Sequence, residues 1–146
     1  MSARSKARKR ALDVLFASEL RGEAPVEALD AAIAEGEGPT NDYTAVLVRG
    51  VVEHQARIDE LLSEYSEGWT LDRMPAVDRN VLRLGVFEML FADDVPDAVA
   101  VSEAMALVRD LSTDDSPSFV NGILGNILRH KPTSGDAPTD APTDAP

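Results

Sequence analysis

Basic side chains crowd the start of the chain and are its clearest candidates for chemistry. Residues 1–10, named here the basic arm, contain no acid and five cations: Arg4, Lys6, Arg8, Lys9 and Arg10. On a helix, Lys6, Lys9 and Arg10 share one face, and Arg8 is offset by about a quarter turn. Cations at a helix N-terminus oppose the helix dipole, so an anionic partner explains them better than stability does. The arm therefore predicts phosphate binding, and the alternative is a solubilising terminus.

The charge of the chain is polarised between this arm and the rest. The net charge is −12 and the arm carries +5, so the other 136 residues carry −17. Such an acidic body repels nucleic acid at long range. A polyanion must therefore bind at the arm, where the local positive charge outweighs the screened remainder.

Candidates for catalysis and metal binding are few. The chain has no cysteine, which excludes disulfides, thiolate metal clusters and thiol nucleophiles. His54 and His130 are widely separated, and lone histidines are more often surface or half-buried residues than ligands. The acidic pairs at 93–94 and 114–115 lack the spaced oxygen ligands of a calcium loop, so turn formation accounts for them better. The sequence predicts no enzyme, no metal site and no cofactor.

A second candidate site lies in the segment 111–124, LSTDDSPSFVNGIL. Ser116 is predicted to cap a helix, which places Phe119 in its first turn. An aromatic ring near a helix start can stack on a nucleobase, and a nearby Asp or Asn can hydrogen-bond the edge of the base. The alternative is that Phe119 is a core residue, and spacing alone favours that alternative.

Helical periodicity runs through most of the chain and defines the elements that must position these residues. Apolar side chains recur three and four positions apart, as in Leu12, Leu15, Phe16 and Leu20, and no run shows sustained alternation. Gly50 interrupts one stripe and is tolerated if a neighbour packs closely on it. The sequence predicts an all-α domain of two packed three-helix groups. Helix boundaries are expected at Gly22, Pro25, Asn41 or Asp42, Gly68, Ala76, Pro96 and Ser116.

The predicted organisation is one helical domain with a basic start and an acidic end. The arm (1–10) leads into an all-helical domain, 4–131, made of an N-terminal bundle (about 4–66) and a C-terminal bundle (about 69–131). The tail, 132–146, repeats Asp-Ala-Pro-Thr and is predicted to be disordered. Charges interrupt every apolar stretch before it could span a membrane or form a signal-peptide core, so a cytoplasmic location is expected.

Four blocks in this order and spacing resemble one family. They are ARKRALDVLF, WTLDRMPAVDRNVLRLGVFEML, DVPDAVAVSEAMALV and STDDSPSFVNGILGNIL. Together they resemble the NusB family of bacterial transcription antitermination factors over about residues 4–130. VDRNVLRLGVFE and DDSPSFVNGIL are the most specific parts.

The resemblance implies an all-helical fold of two three-helix bundles with no enzymatic activity. It also implies binding of the single-stranded boxA element in ribosomal RNA leader and spacer transcripts, together with ribosomal protein S-ten (NusE). In that family the complex joins NusA, NusG and RNA polymerase to suppress premature termination. Some members self-associate through the surface that others use for the ribosomal protein, so a homodimer stays possible.

The resemblance also assigns roles to particular residues. Residues expected to contact RNA phosphates are Arg4, Lys6, Arg8 and Lys9. Asp115 and Phe119 match positions near the bound RNA. Asp78 matches an acidic position at the ribosomal-protein interface, and Arg79 and Phe87 are weaker candidates on the same helix. The alternative for this helix is that its apolar residues are core while Arg79 and Arg83 form a solvated face.

Two other functions compete with this interpretation. The chain could be a protein–protein adaptor without direct RNA binding, in which case the arm only aids solubility. It could also be an accessory to an RNA methyltransferase acting in trans, although it has no room for a cofactor-binding sheet. If all five arm cations neutralise phosphates, log affinity should fall against log salt with a slope of about −3.5.

Overall fold

Six α-helices carry the fold of residues 2–131, the part of the chain that the computed structural model describes. A single 3-10 turn, Leu71–Arg73, joins the third helix to the fourth. No strand occurs in the described residues, and the all-helical prediction is confirmed. The predicted disordered tail, 132–146, lies outside them. The helices are α1 Ala3–Arg21, α2 Pro25–Ala34, α3 Asp42–Tyr65, α4 Ala76–Phe91, α5 Asp97–Leu111 and α6 Ser116–Arg129.

Most helix boundaries follow the local signals in the sequence. Gly22 ends α1 in the left-handed conformation (φ 69°), which glycine adopts without strain. Pro25 opens α2, where its missing N–H is not needed. Asn41 caps α3, because its side-chain oxygen accepts a hydrogen bond of 2.8 Å from the backbone N–H of Tyr43.

The predicted cap of α6 is wrong by one residue. Asp115 is the N-cap and Ser116 is already helical. The Ser116 hydroxyl turns back toward the preceding turn instead, where it accepts a hydrogen bond from the Thr113 N–H (3.3 Å) and lies 2.9 Å from the Ser112 hydroxyl. Ser116 therefore ties α6 to the end of α5.

The helices pack as two groups of three that share α4 as their centre. In one group α1, α2 and α3 contact one another, and in the other α4, α5 and α6 do so. Because α4 also packs on α1 and α3, the two groups share one apolar core. The bundle limits predicted at residues 66 and 69 stay a prediction.

The packing around Gly50 agrees with the sequence-based prediction, whereas the position of Leu20 does not. The expected close neighbour of Gly50 is Phe87, since a Cβ at position 50 would lie 2.3 Å from that ring. Leu20, by contrast, was predicted in the apolar stripe of α1 but is 68% exposed. The buried row of α1 continues from Leu15 to Ser18 instead, because Leu20 is rotated away from that row at 3.6 residues per turn.

Candidate nucleic-acid interface

The basic arm is the first part of α1 rather than a separate extension. The helix begins at Ala3, and the Ser2 hydroxyl caps it by accepting a hydrogen bond of 3.0 Å from the Ser5 N–H. The arm is therefore helical from Ala3 onward. The five cations of the arm have different surroundings on this helix.

Arg8 points into the core and is only 4% exposed. Its Nε donates to both carboxylate oxygens of Glu88 on α4, at 2.8 and 3.0 Å. Its Nη1 lies 3.4 Å from Glu103 of α5, and the Tyr43 hydroxyl donates to Glu88 as well. The resemblance implies a phosphate contact for Arg8, but the structure buries its guanidinium against Glu88 and Glu103 instead.

Arg8 and Tyr43 do not titrate near neutral pH. Burial, the hydrogen bond to Glu88 and the charge of that carboxylate raise the pKa of Tyr43 well above its ordinary value of 10. Burial lowers the pKa of Arg8, but the hydrogen bond and charge of Glu88 outweigh it, and the pKa stays above its usual range. Arg8 remains charged and Tyr43 neutral.

Arg4 and Lys9 stay at the surface with acidic neighbours. Arg4 Nη2 donates to Asp94 Oδ2 at 2.9 Å, and its guanidinium lies 4.1 Å from the centre of the Tyr43 ring. That hydrogen bond and the Arg4 charge hold the pKa of Asp94 below its usual range. Lys9 pairs with Asp13 one turn later at 3.0 Å. Both cations are close to half exposed, so their pairs are weak and solvent-screened.

Lys6 and Arg10 are the arm cations without an acidic partner among residues 2–131. Both are exposed and line one groove of about 300 Å³ between α1 and the loop before α3. Thr40 lines its other wall, together with Asn41 and Thr44, whose side chains hydrogen-bond the carbonyls of Ala3 and Ala7. Two exposed cations in one groove form a surface that suits phosphate oxygens.

Asp115 and Phe119 lie at the other end of α5 from the arm. Arg4 contacts Asp94 just before α5 begins, while Asp115 follows after it ends. A helix of 15 residues is about 22 Å long. The structure therefore does not bring the arm and the Asp115–Phe119 block together, and a strand of nucleic acid must extend along the molecule to touch both.

Phe119 is half-buried, which lies between the two interpretations of its role. Its ring meets that of Trp69 edge to face, with centroids 5.6 Å apart. Trp69 is 50% exposed, and the sequence analysis did not single it out. A signal was available: Trp69 follows Gly68 outside every helical stripe, where an aromatic residue has no periodic reason to be buried.

Asp78 is buried and serves the fold. It is 1% exposed, and it accepts a hydrogen bond of 2.5 Å from the Ser112 hydroxyl. Ser112 in turn lies beside Ser116, so this chain of polar contacts joins the start of α4 to the α5–α6 turn. Phe87 is also buried, at 6% exposure. Their role at the ribosomal-protein interface stays a prediction, while the structure shows both side chains to be almost fully buried.

Arg79 and Arg83 are mostly buried, so the alternative of a solvated face is wrong. Arg79 donates to the carbonyls of Leu71 (2.7 Å) and Met74 (2.9 Å) and pairs with Glu19 of α1. Arg83 donates to both carboxylate oxygens of Asp59 on α3 at 2.9 and 3.0 Å.

Glu19 is the acid that these arginines share. Partial burial raises the pKa of Glu19, but hydrogen bonds from Arg79 and Asn80 and the charges of Arg79 and Arg83 outweigh it, so the pKa lies below its usual range. The cluster pins α1 and α3 onto α4 at the end of α1 away from the basic arm.

Residues 2–131 contain neither a metal-binding cluster nor a membrane-spanning helix. No set of three or more His, Cys, Asp or Glu side chains is gathered as a metal site. No helix is both long and apolar enough to cross a membrane. The described part of the molecule defines a class: a small all-helical protein whose unpaired arm cations share a groove on its first helix, as in proteins that bind nucleic acid.

Sequence comparison identifies the family. A model of the NusB family matches residues 5–129. The chain belongs to the NusB family. The transcription antitermination protein NusB of a Nocardioides species is 85% identical over 133 residues, covering 91% of this chain and 98% of that protein.

Solved structures agree with the assignment. Thermotoga maritima NusB superposes with a TM-score of 0.78 at 35% identity, covering 88% of this chain and 92% of that one. A chain from a crystal structure of antitermination factors NusB and NusE in complex with double-stranded RNA gives 0.75 at 32% identity, covering 87% and 96%.

Proposed function

We propose that this protein is a non-catalytic transcription antitermination factor that binds single-stranded boxA RNA of ribosomal RNA transcripts. It does so with ribosomal protein S-ten (NusE), within a larger complex of NusA, NusG and RNA polymerase in the cytoplasm. The observation that carries the proposal is the groove of Lys6 and Arg10, two exposed arm cations without an acidic partner in residues 2–131, on a chain of net charge −12.

The arm acts as the contact to the RNA backbone, with fewer cations than the sequence suggested. Four of its five cations are at the surface, and Arg8 is withdrawn into the core. For a single strand each neutralised phosphate contributes about −0.7 to the log–log salt slope, so four cations give about −2.8. The acidic body keeps binding to unrelated RNA low, since its field opposes any polyanion away from the arm.

A basic partner supplies positive charge for RNA binding, which the acidic body lacks. Docked on that body, it is attracted by opposite charge and extends the RNA-binding surface, so the two binding events are coupled. A relative seen with NusE and RNA together supports this arrangement. The RNA in that structure is double-stranded, so single-stranded and duplex boxA RNA must both be titrated to show which form the protein binds.

The test is a titration of labelled boxA RNA at fixed salt, with and without the ribosomal partner. We expect tighter binding with the partner present, and equal affinity would refute the coupling. Lys6→Glu should weaken RNA binding strongly. Arg57→Glu is the matched control: it changes the net charge equally but lies about 20 Å along α3 from Thr44 of the groove.

An adaptor that does not bind RNA is the second candidate. It is favoured by the ion pairs that neutralise Arg4, Arg8 and Lys9 within the chain. Reversing the charges of Lys6, Lys9 and Arg10 together separates the two functions, because none of the three is buried. RNA binding should be lost while partner binding persists; an adaptor has no RNA binding to lose. Light scattering on the same samples decides between monomer and homodimer.

A further inference from the structure

A cavity of about 410 Å³ opens between the end of α3, the turn that follows it and α6. Tyr65, Trp69 and Phe119 give it three aromatic walls. The rings of Trp69 and Phe119 meet at an interplanar angle of 66°, and half of Trp69 is exposed to solvent. A large aromatic side chain held by an aromatic neighbour yet open to solvent can stack on a planar ligand.

The remaining walls of the cavity are largely polar. Ser118, Asn126 and Arg129 of α6 line it, and Arg129 Nη2 donates to Asn126 Oδ1 at 2.9 Å. Among residues 2–131 Arg129 has no acid within ion-pair distance. Its guanidinium therefore keeps donors for an anionic group. Glu67 also lines the cavity, and a phosphate would have to lie on the Arg129 side, away from that carboxylate.

Gly122 leaves one wall of the cavity open. A Cβ at this position would meet nothing within 4 Å. A glycine inside a helix costs up to about 1 kcal/mol relative to alanine, and no close helix contact here requires it. The space beside Gly122 is therefore open, and it belongs to the same cavity that Trp69 lines.

We infer that this cavity is a subsite for one unpaired nucleobase of RNA, stacked on Trp69 with the neighbouring phosphate at Arg129. The inference rests on the proposed function, because the ligand is a base of the RNA bound there. Aromatic faces together with an amide, a hydroxyl and a guanidinium match a base and its phosphate better than they match an apolar peptide side chain.

The single tryptophan of the chain makes the subsite directly observable. The experiment titrates the full-length protein with labelled boxA RNA, single-stranded and as a duplex, and records RNA anisotropy and tryptophan fluorescence together. Single-stranded RNA should quench the indole, with the same midpoint as the anisotropy. The duplex should quench it less, because its bases are stacked on one another.

Substitutions show whether the base contributes to affinity. Loss of one stacked base corresponds to roughly 5-fold to 100-fold weaker binding. This loss is expected for Trp69→Ala, which removes the stacking ring, and for Gly122→Leu, whose side chain fills the cavity. Ser63→Leu is the matched control, because Ser63 is exposed near the end of α3 and does not line the cavity. Circular dichroism checks that Gly122→Leu is folded, and Trp69→Phe, which keeps an aromatic face, should recover part of the affinity.

Three results would overturn the inference, each differently. If RNA binds without changing the tryptophan fluorescence, and Gly122→Leu binds RNA with wild-type affinity, the subsite is refuted and the proposed function stands. If the ribosomal partner alone quenches Trp69, and Gly122→Leu weakens that partner rather than RNA, the cavity binds protein. If no RNA binds even with the partner present, the subsite and the proposed function both fall.

Discussion

Replacing Arg8 should destabilise the fold rather than weaken RNA binding directly. This prediction distinguishes the buried ion pair seen in the structure from the phosphate contact that the family resemblance implies. The Arg8 side chain is 5% exposed and that of Glu88 is 2% exposed. Arg8→Ala leaves the Glu88 carboxylate buried without its counterion, and breaking such a pair from one side costs about 3–5 kcal/mol of unfolding free energy. Lys6→Ala removes an exposed side chain and should change that free energy by about 0.5 kcal/mol or less.

In RNA binding the larger effect should come from Lys6→Ala and the smaller one from Arg8→Ala. Lys6→Ala removes one phosphate contact, so the log–log salt slope should become shallower by about 0.7. Arg8→Ala should keep the wild-type slope wherever it is still folded. Urea unfolding followed by circular dichroism gives the stabilities, and RNA titrations at four salt concentrations give the slopes.

A further variant tests the cause of the instability. Replacing Arg8 and Glu88 together by apolar residues of similar size should recover most of the lost stability, because no charge is then left buried. The reasoning is refuted if Arg8→Ala unfolds at the wild-type urea concentration and has a slope shallower by about 0.7, since Arg8 would then be a phosphate contact.

Three other predictions test the packing and the polar clusters. Gly50→Ala should destabilise the protein by about 1–3 kcal/mol, because its Cβ would strike the Phe87 ring, whereas Gly122→Ala should stabilise it by up to about 1 kcal/mol; equal midpoints in urea would contradict this. The folded-state pKa of Glu19 is lower than its ordinary value of 4.5, so ionised Glu19 stabilises the fold above pH 4.5, and this contribution is lost as the pH falls through the folded-state pKa. In urea titrations the stability difference between wild type and Glu19→Gln should therefore shrink below about pH 4.5 and should not grow. Asp78→Ala should lower the thermal midpoint, since it removes the acceptor of the Ser112 hydroxyl; an unchanged midpoint with weaker partner binding would return Asp78 to the interface.

Local features of the sequence were enough for the helices and not for the long-range polar contacts. Gly22, Pro25 and Asn41 each act within one turn, so their effect on the helix ends is visible in the sequence. The fate of Arg8 depends on Glu88, which is 80 residues away, and no periodicity connects the two. A cation in a basic segment looks exposed until its partner helix is known.

The same reason limited the prediction of the partner surface. The family resemblance predicts Asp78 and Phe87 for the ribosomal-protein interface, and that role stays a prediction. The sequence did not show that both side chains are buried, which they are because α4 packs on helices at both sides. Trp69 shows the converse error. Only the fold brings it beside Phe119 and leaves half of it exposed.

The central claim is that RNA binds along the first helix, at the groove of Lys6 and Arg10. The chain has only three lysines, Lys6, Lys9 and Lys131, which makes amine footprinting direct. Free and RNA-saturated protein would be acetylated briefly, with the ribosomal partner present in both samples, and the extent at each lysine read by mass spectrometry. The account predicts that RNA strongly protects Lys6. Equal acetylation of Lys6 in both samples would contradict it.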